Sequence, residues 1–269
     1  MLKIIATGKG GVGKTTTLTA LSQIMAAEGK RVIVFDTDPS MNFALAFGIP
    51  FDSVATIMED KEEINHHLED EGIYIVGEEV LAKNSHLTPE GIRIVVMGAI
   101  LHGGDGCICS AISLIKILLG YVESTGEYDV ALVDSQAGPE VLGRGLASQF
   151  DYNIILTEPT AKSSEVSRQV LRMGRDLGVK DTVMVVNMID EPQDIDMTAE
   201  MVGIERSKTF GIRYDRCVVK ADKEGGLLAD MFPDCDAMSD IRAFASAILR
   251  ASLSRLPRMR RPVFFMNRI

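Results

Sequence analysis

No apolar run in this 269-residue chain approaches the roughly 20 residues that a helix needs to cross a bilayer core. The apolar residues at 2–6 read as a core strand entered at once, so a targeting segment is not expected and a cytoplasmic location is. Cysteine is scarce: four in this length are too few for a disulfide scaffold. The closely spaced Cys107 and Cys109 therefore point to metal or redox chemistry, while Cys217 and Cys235 stand isolated. Positive charge is in deficit, and a net charge of −10 argues against a nucleic-acid partner for the body of the protein. Acid is in turn missing from the C-terminal end. No Asp or Glu follows Asp240, and Arg250, Arg255, Arg258, Arg260, Arg261 and Arg268 accumulate there. Residues 252–269 thus form a basic tail, electrostatically distinct from residues 1–251. Pro257 and Pro262 fragment any helix in it, which favours a flexible or partner-contacting tail over a membrane-binding helix.

What is present is a core. Hydrophobic residues make up 46% of the chain, ordinary for a globular protein. Apolar runs at 2–6, 32–35, 92–97, 128–133, 153–156, 182–186 and 209–212 predict buried strands. Helical patterns at 17–27, 111–121, 163–177, 194–201 and 237–251 alternate with them. Neither a repeat nor a linker interrupts, so the expected fold is α/β: a single doubly wound, mainly parallel sheet with helices on both faces. Residues 51–91 read as less regular, with a solvated helix across the charged stretch that holds His66 and His67. Those two point about 100° apart on a helix and make no two-ligand face.

Between the first strand and the first helix lie Gly8, Lys9, Gly10, Gly11, Val12, Gly13, Lys14, Thr15 and Thr16, a GxxxxGK[ST] match in the context that makes it a phosphate site. Glycines without a Cβ let N–H groups close around phosphate oxygens, and the helix adds its positive end. Lys14 would neutralise the terminal phosphates, and the Thr15 hydroxyl would sit on Mg²⁺. Asp36 and Asp38 follow the second strand, at the sheet edge where α/β proteins bind ligands. They suit a Mg²⁺ shell and a water-positioning group, or else are turn acids before Pro39. Asp134 ends a further strand, where a Mg²⁺-holding acid belongs. Ala137 and Gly138 follow as a mobile second switch. Asn187 also ends a strand, where it can cap a turn, and its Asn-x-x-Asp spacing to Asp190 is reminiscent of guanine readers, which have lysine where Met188 stands. Cys107 and Cys109 would project together from an extended segment, Cys109 beside a helix N-terminus. They offer half of a four-sulfur site that a two-fold axis would complete, or are two small buried hydrophobes.

The early Lys9 makes this loop resemble the deviant Walker A motif of the Min/Par, arsenite-pump and nitrogenase-iron-protein superfamily of P-loop NTPases. That resemblance implies an ATP-dependent homodimer in which Lys9 reaches the partner's nucleotide, with Asp38 positioning the attacking water and Asp36 supporting the metal shell. It also favours adenine at Asn187. The runs 103–109, 133–145 and 157–159 look like the CooC-type nickel-insertion ATPases. This narrower resemblance implies an ATPase that drives nickel insertion into carbon monoxide dehydrogenase as its client. It further implies Ni²⁺ or Zn²⁺ held by Cys107 and Cys109 between two subunits, in addition to ATP and Mg²⁺. Ser110 stands where that family often has proline. The alternatives are an iron–sulfur reductase of the nitrogenase-iron-protein type, whose cysteine spacing is not matched here, and a Min/Par-type positioning ATPase.

Overall fold

A computed structural model of the chain describes residues 1–50, 53, 55–99, 109–139, 142 and 149–255. Its strands are β1 (Leu2–Gly8), β2 (Val32–Asp36), β3 (Ser85–Leu87), β4 (Arg93–Val96), β5 (Val130–Asp134), β6 (Tyr152–Thr157), β7 (Asp181–Ile189) and β8 (Thr209–Arg213). They form one sheet in the order β3-β4-β2-β5-β1-β6-β7-β8, parallel throughout except for the antiparallel β3–β4 edge. The expected doubly wound sheet is therefore present.

Alternation along each strand sorts its side chains to two fully covered faces. Ile4 and Leu132 face α1 (Lys14–Ala27) and α10 (Asp236–Arg255), packing with Leu18, Leu21, Phe244 and Ile248. Ile5 and Val133 face the other way, into a layer built from α3 (Lys61–Glu71), α4 (Ile73–Lys83), α5 (Cys109–Thr125), α6 (Ala161–Asp176) and α7 (Gln193–Val202). Each fully buried Ile, Leu or Phe contributes roughly 1.5–3 kcal/mol, so both faces hold the strand ends firmly in register. Three shorter helices are α2 (Asn42–Ala46), α8 (Arg216–Glu224) and α9 (Leu228–Met231).

Two elements depart from the sequence expectation. Residues 51–91 contain a helix, α4, which buries Val76, Val80 and Leu81. Its period is masked by Gly77, a glycine demanded by packing: a Cβ there would lie 2.6 Å from the Tyr121 ring. The second is β3, a three-residue edge strand on which His86 is exposed. At the other end α10 continues to Arg255, beyond the expected boundary at residue 251, and residues 256–269 of the basic tail lie outside the described residues. Among the described residues no helix is long and apolar enough to cross a membrane.

Candidate nucleotide site

The chain passes from β1 to β2 on one side and later to β6 on the other, so strand order reverses at β1. Such a switch point leaves a crevice at the strand C-termini. Register brings the site acids together there, because Asp134 on β5 lies opposite Ala6 on β1 and Asp36 on β2. The loop of residues 8–16 turns over this edge. Gly8, at φ 141°, lies so close to β6 that a Cβ would meet the Leu156 carbonyl at 2.1 Å. Gly13, at φ 88°, begins α1. That helix has neither a side-chain cap nor an acid in its first turn, which leaves its N–H groups and positive end open to an anion.

Lys14 is almost wholly buried, and its ammonium donates to the Lys9 carbonyl at 3.2 Å. Burial pulls its pKa below the usual lysine range, against the opposing pull of Asp134 and Asp38. The Thr15 hydroxyl donates to Asp134 Oδ2 at 2.6 Å. Asp134 Oδ1, also buried, has no hydrogen-bond partner among the described residues. Burial is the main reason the Asp134 pKa is pushed up to about 6; Asp38 adds to the rise, while Thr15 and Lys14 oppose it. An orphaned carboxylate oxygen beside a Thr hydroxyl is an incomplete ligand set. It fits a divalent cation.

The β2 acids divide their work. Asp36 is fully buried, with Oδ1 accepting the Asp38 N–H at 3.2 Å and Oδ2 the Phe43 N–H at 3.1 Å. Its pKa is raised by burial and then by the Asp134 charge, against those two hydrogen bonds. Both oxygens therefore organise the loop that carries Asp38. Asp38 is half-buried, and its Oδ1 accepts from the Ser40 N–H at 2.9 Å and hydroxyl at 2.5 Å. The Asn187 amide donates to the Val12 carbonyl at 2.9 Å, bracing the glycine loop from β7. Lys9 reaches outward, its side chain 40% exposed and its ammonium 4.0 Å from Glu158. The Gly138 N–H donates to the Gly8 carbonyl at 3.0 Å, linking the expected second switch to the loop. Cys109 opens α5, but Cys107 and the Cys109 side chain lie outside the described residues, so the geometry of that pair is not described.

Sequence reasoning missed two neighbours. Thr37 ties β2 to β5, its hydroxyl donating to the Asp134 carbonyl at 2.9 Å. Glu158 faces Lys9. Thr37 was legible as the residue between the paired acids, whereas Glu158 follows β6 and meets Lys9 only through the sheet. Two non-glycine residues among those described have positive φ, Met41 at 49° and Met188 at 57°. Both sit beside the site loops, one on the segment after Asp38 and one next to Asn187, where backbone strain tends to collect.

The CobQ/CobB/MinD/ParA nucleotide binding domain family matches residues 3–228. The carbon monoxide dehydrogenase accessory protein CooC of Rhodospirillum rubrum is 30% identical over 268 residues, covering 95% of this chain and 97% of that protein. The septum site-determining protein MinD of Bacillus subtilis is 26% identical, over 93% of this chain and 89% of its own. Among solved structures, the MinD cell division protein of Aquifex aeolicus superposes with a TM-score of 0.71 at 19% identity, covering 93% of this chain and 97% of that one.

Proposed function

Because the chain belongs to the CobQ/CobB/MinD/ParA nucleotide-binding family and is a CooC-type ATPase of that superfamily, we propose that it is a nickel metallochaperone that uses ATP hydrolysis to drive nickel insertion during maturation of carbon monoxide dehydrogenase. The observation that carries this reading is the similarity to the Rhodospirillum rubrum accessory protein along nearly the whole of both chains.

The chain's own groups suit the first half of that task. The glycine loop and the uncapped start of α1 present N–H donors to phosphate oxygens, with the Lys14 ammonium beside them. Thr15 and the unpartnered oxygen of Asp134 would hold Mg²⁺, which supplies charge neutralisation at the phosphates when bound. Asp38 would orient the attacking water and take its proton, on a loop that Asp36 fixes. Asn187 would serve the base from the position where it braces the loop. Lys9, facing outward, would complete the site of a second copy, which makes turnover depend on a homodimer. Cys107 and Cys109 of two copies would then supply four thiolates to the nickel cargo, shared across a two-fold axis. Gly138, whose N–H is bonded to the Gly8 carbonyl, would pass the state of the nucleotide on to that segment.

Equilibrium dialysis with ⁶³Ni²⁺ tests the claim. The Cys107→Ser/Cys109→Ser double variant is expected to lose about one nickel per two chains relative to the unaltered protein. Undiminished nickel binding by that variant, with ATPase activity intact, ends the metallochaperone reading and leaves an ATPase of another purpose.

A further inference from the structure

Cys217 and Cys235, isolated in sequence, meet in the fold. Asp215 follows β8 and caps α8, its Oδ1 accepting the Cys217 N–H at 2.8 Å. Its Oδ2 accepts the Ala237 N–H at 3.3 Å from the first turn of α10. Cys235 immediately precedes α10, its carbonyl accepting the Ser239 N–H at 3.0 Å and its Sγ the Met238 N–H at 3.4 Å. One carboxylate oxygen and two sulfurs consequently lie within 4.8 Å of one another, all half-buried and reachable from solvent.

We propose that Asp215, Cys217 and Cys235 form a second metal site, separate from the Cys107–Cys109 segment, that takes a thiophilic divalent cation of the zinc class. A tetrahedral zinc ion holds its ligand atoms roughly 3.3–3.8 Å apart, so the three groups need draw in by only about 1 Å. Two thiolates and a carboxylate leave the fourth position to water. The set carries three negative charges, and a divalent ion brings the total to −1. That residual charge lies at the N-terminal ends of two helices, α8 and α10, whose positive ends favour it.

The supports are already placed. The Met238 N–H directed at the Cys235 sulfur is the kind of outer hydrogen bond that steadies a metal thiolate. A carboxylate offers about four lone-pair sites, so Asp215 retains capacity beyond its two backbone bonds. The Arg213 guanidinium holds Asp240 with two bonds, at 2.8 and 2.9 Å, which fixes α10 against the end of β8. The Tyr214 N–H anchors the other side to the Ile189 carbonyl at 3.0 Å. A bound ion would clasp α8 to α10.

The test uses the full chain carrying Cys107→Ser and Cys109→Ser, reduced and freed of metal, with Co²⁺ as a spectroscopic stand-in for zinc. We expect about one Co²⁺ per chain with a thiolate-to-cobalt charge-transfer band, displaced by Zn²⁺. Zn²⁺ should also raise the melting temperature of this variant. Adding Cys217→Ser and Cys235→Ser should abolish the band and the thermal shift, while circular dichroism and a metal-free melting temperature close to that of the Cys107→Ser/Cys109→Ser protein report that the quadruple variant is folded. Serine suits a helix N-cap, so the start of α10 survives the change. The proposal is overturned if the Cys107→Ser/Cys109→Ser protein binds less than about a tenth of an equivalent, or if the quadruple variant binds as much. The nickel reading of Cys107 and Cys109 fails by a different result, the absence of any loss on replacing those two residues.

Discussion

Asp134 shows how one side chain couples the fold to its ligand. Its pKa is raised from the usual 3.8 to about 6, chiefly by burial. Between about pH 4 and pH 6 the folded chain therefore keeps a proton that the unfolded chain has released, and stability falls as pH rises through that window. Asp36 shifts in the same direction for the same reason. The Asp134 contribution alone is on the order of 2–3 kcal/mol. The nucleotide-free protein should thus show a higher urea midpoint near pH 4.5 than near pH 7. Mg-ATP should flatten the difference by giving the ionised carboxylate a partner. A midpoint that climbs over this interval without nucleotide would show that Asp134 is not held protonated. Asp38 makes a contrasting prediction, since it sits half-exposed on a loop rather than in the core. Asp38→Asn should lower ATP turnover at least about a hundredfold while leaving ATP affinity within a few-fold, as titration calorimetry and a phosphate-release assay would read. Equal losses in affinity and turnover would assign Asp38 to binding.

At the scale of the element, the junction of β1 with α1 is tightly constrained. A Cβ on Gly8 would meet a backbone carbonyl rather than a movable side chain, at a φ that other residues rarely adopt. Gly8→Ala should cost several kcal/mol, and because β1 is central the whole sheet should weaken with it. Gly29 is the control: its φ is also positive, 78°, but a Cβ there meets nothing within 4 Å. Gly29→Ala should cost about 1 kcal/mol. Comparable urea midpoints for the two variants would refute the packing account. The same contrast explains what was legible in the sequence. The central strands are continuous apolar runs, so β1, β2, β5, β6 and β7 could be read directly, and with them the acids at their ends. Helix α4 could not, because Gly77 answers to Tyr121, a residue 44 positions away in another helix. β3 is three residues long and acquires its identity only by pairing with β4. The glycine loop carries its chemistry in consecutive residues and is visible locally. Asp215, Cys217 and Cys235 converge only because β8 and α10 bring two helix starts together.

For the whole molecule, the position of Lys9 decides whether one copy is enough. Lys14 is curled into its own loop, whereas Lys9 points away and, among the described residues, pairs with Glu158 at the outer limit of an ion pair. An exposed pair of this kind contributes little to stability, so the fold gives no reason for a lysine here. A cation supplied from a second copy gives one, since a charge delivered to a phosphoryl-transfer site in trans can be worth about 10³-fold or more in rate. Lys9→Ala should therefore fold and melt like the unaltered protein and bind ATP within a few-fold, yet lose turnover by about that factor. Mixing it with a Lys14→Ala variant distinguishes the two arrangements. If Lys9 acts across the interface, a mixed dimer has one site with both its own Lys14 and a partner's Lys9, and activity should reappear on mixing. If Lys9 serves its own nucleotide, every site in the mixture lacks one lysine and the mixture should stay inactive, which would return the chemistry to a single copy.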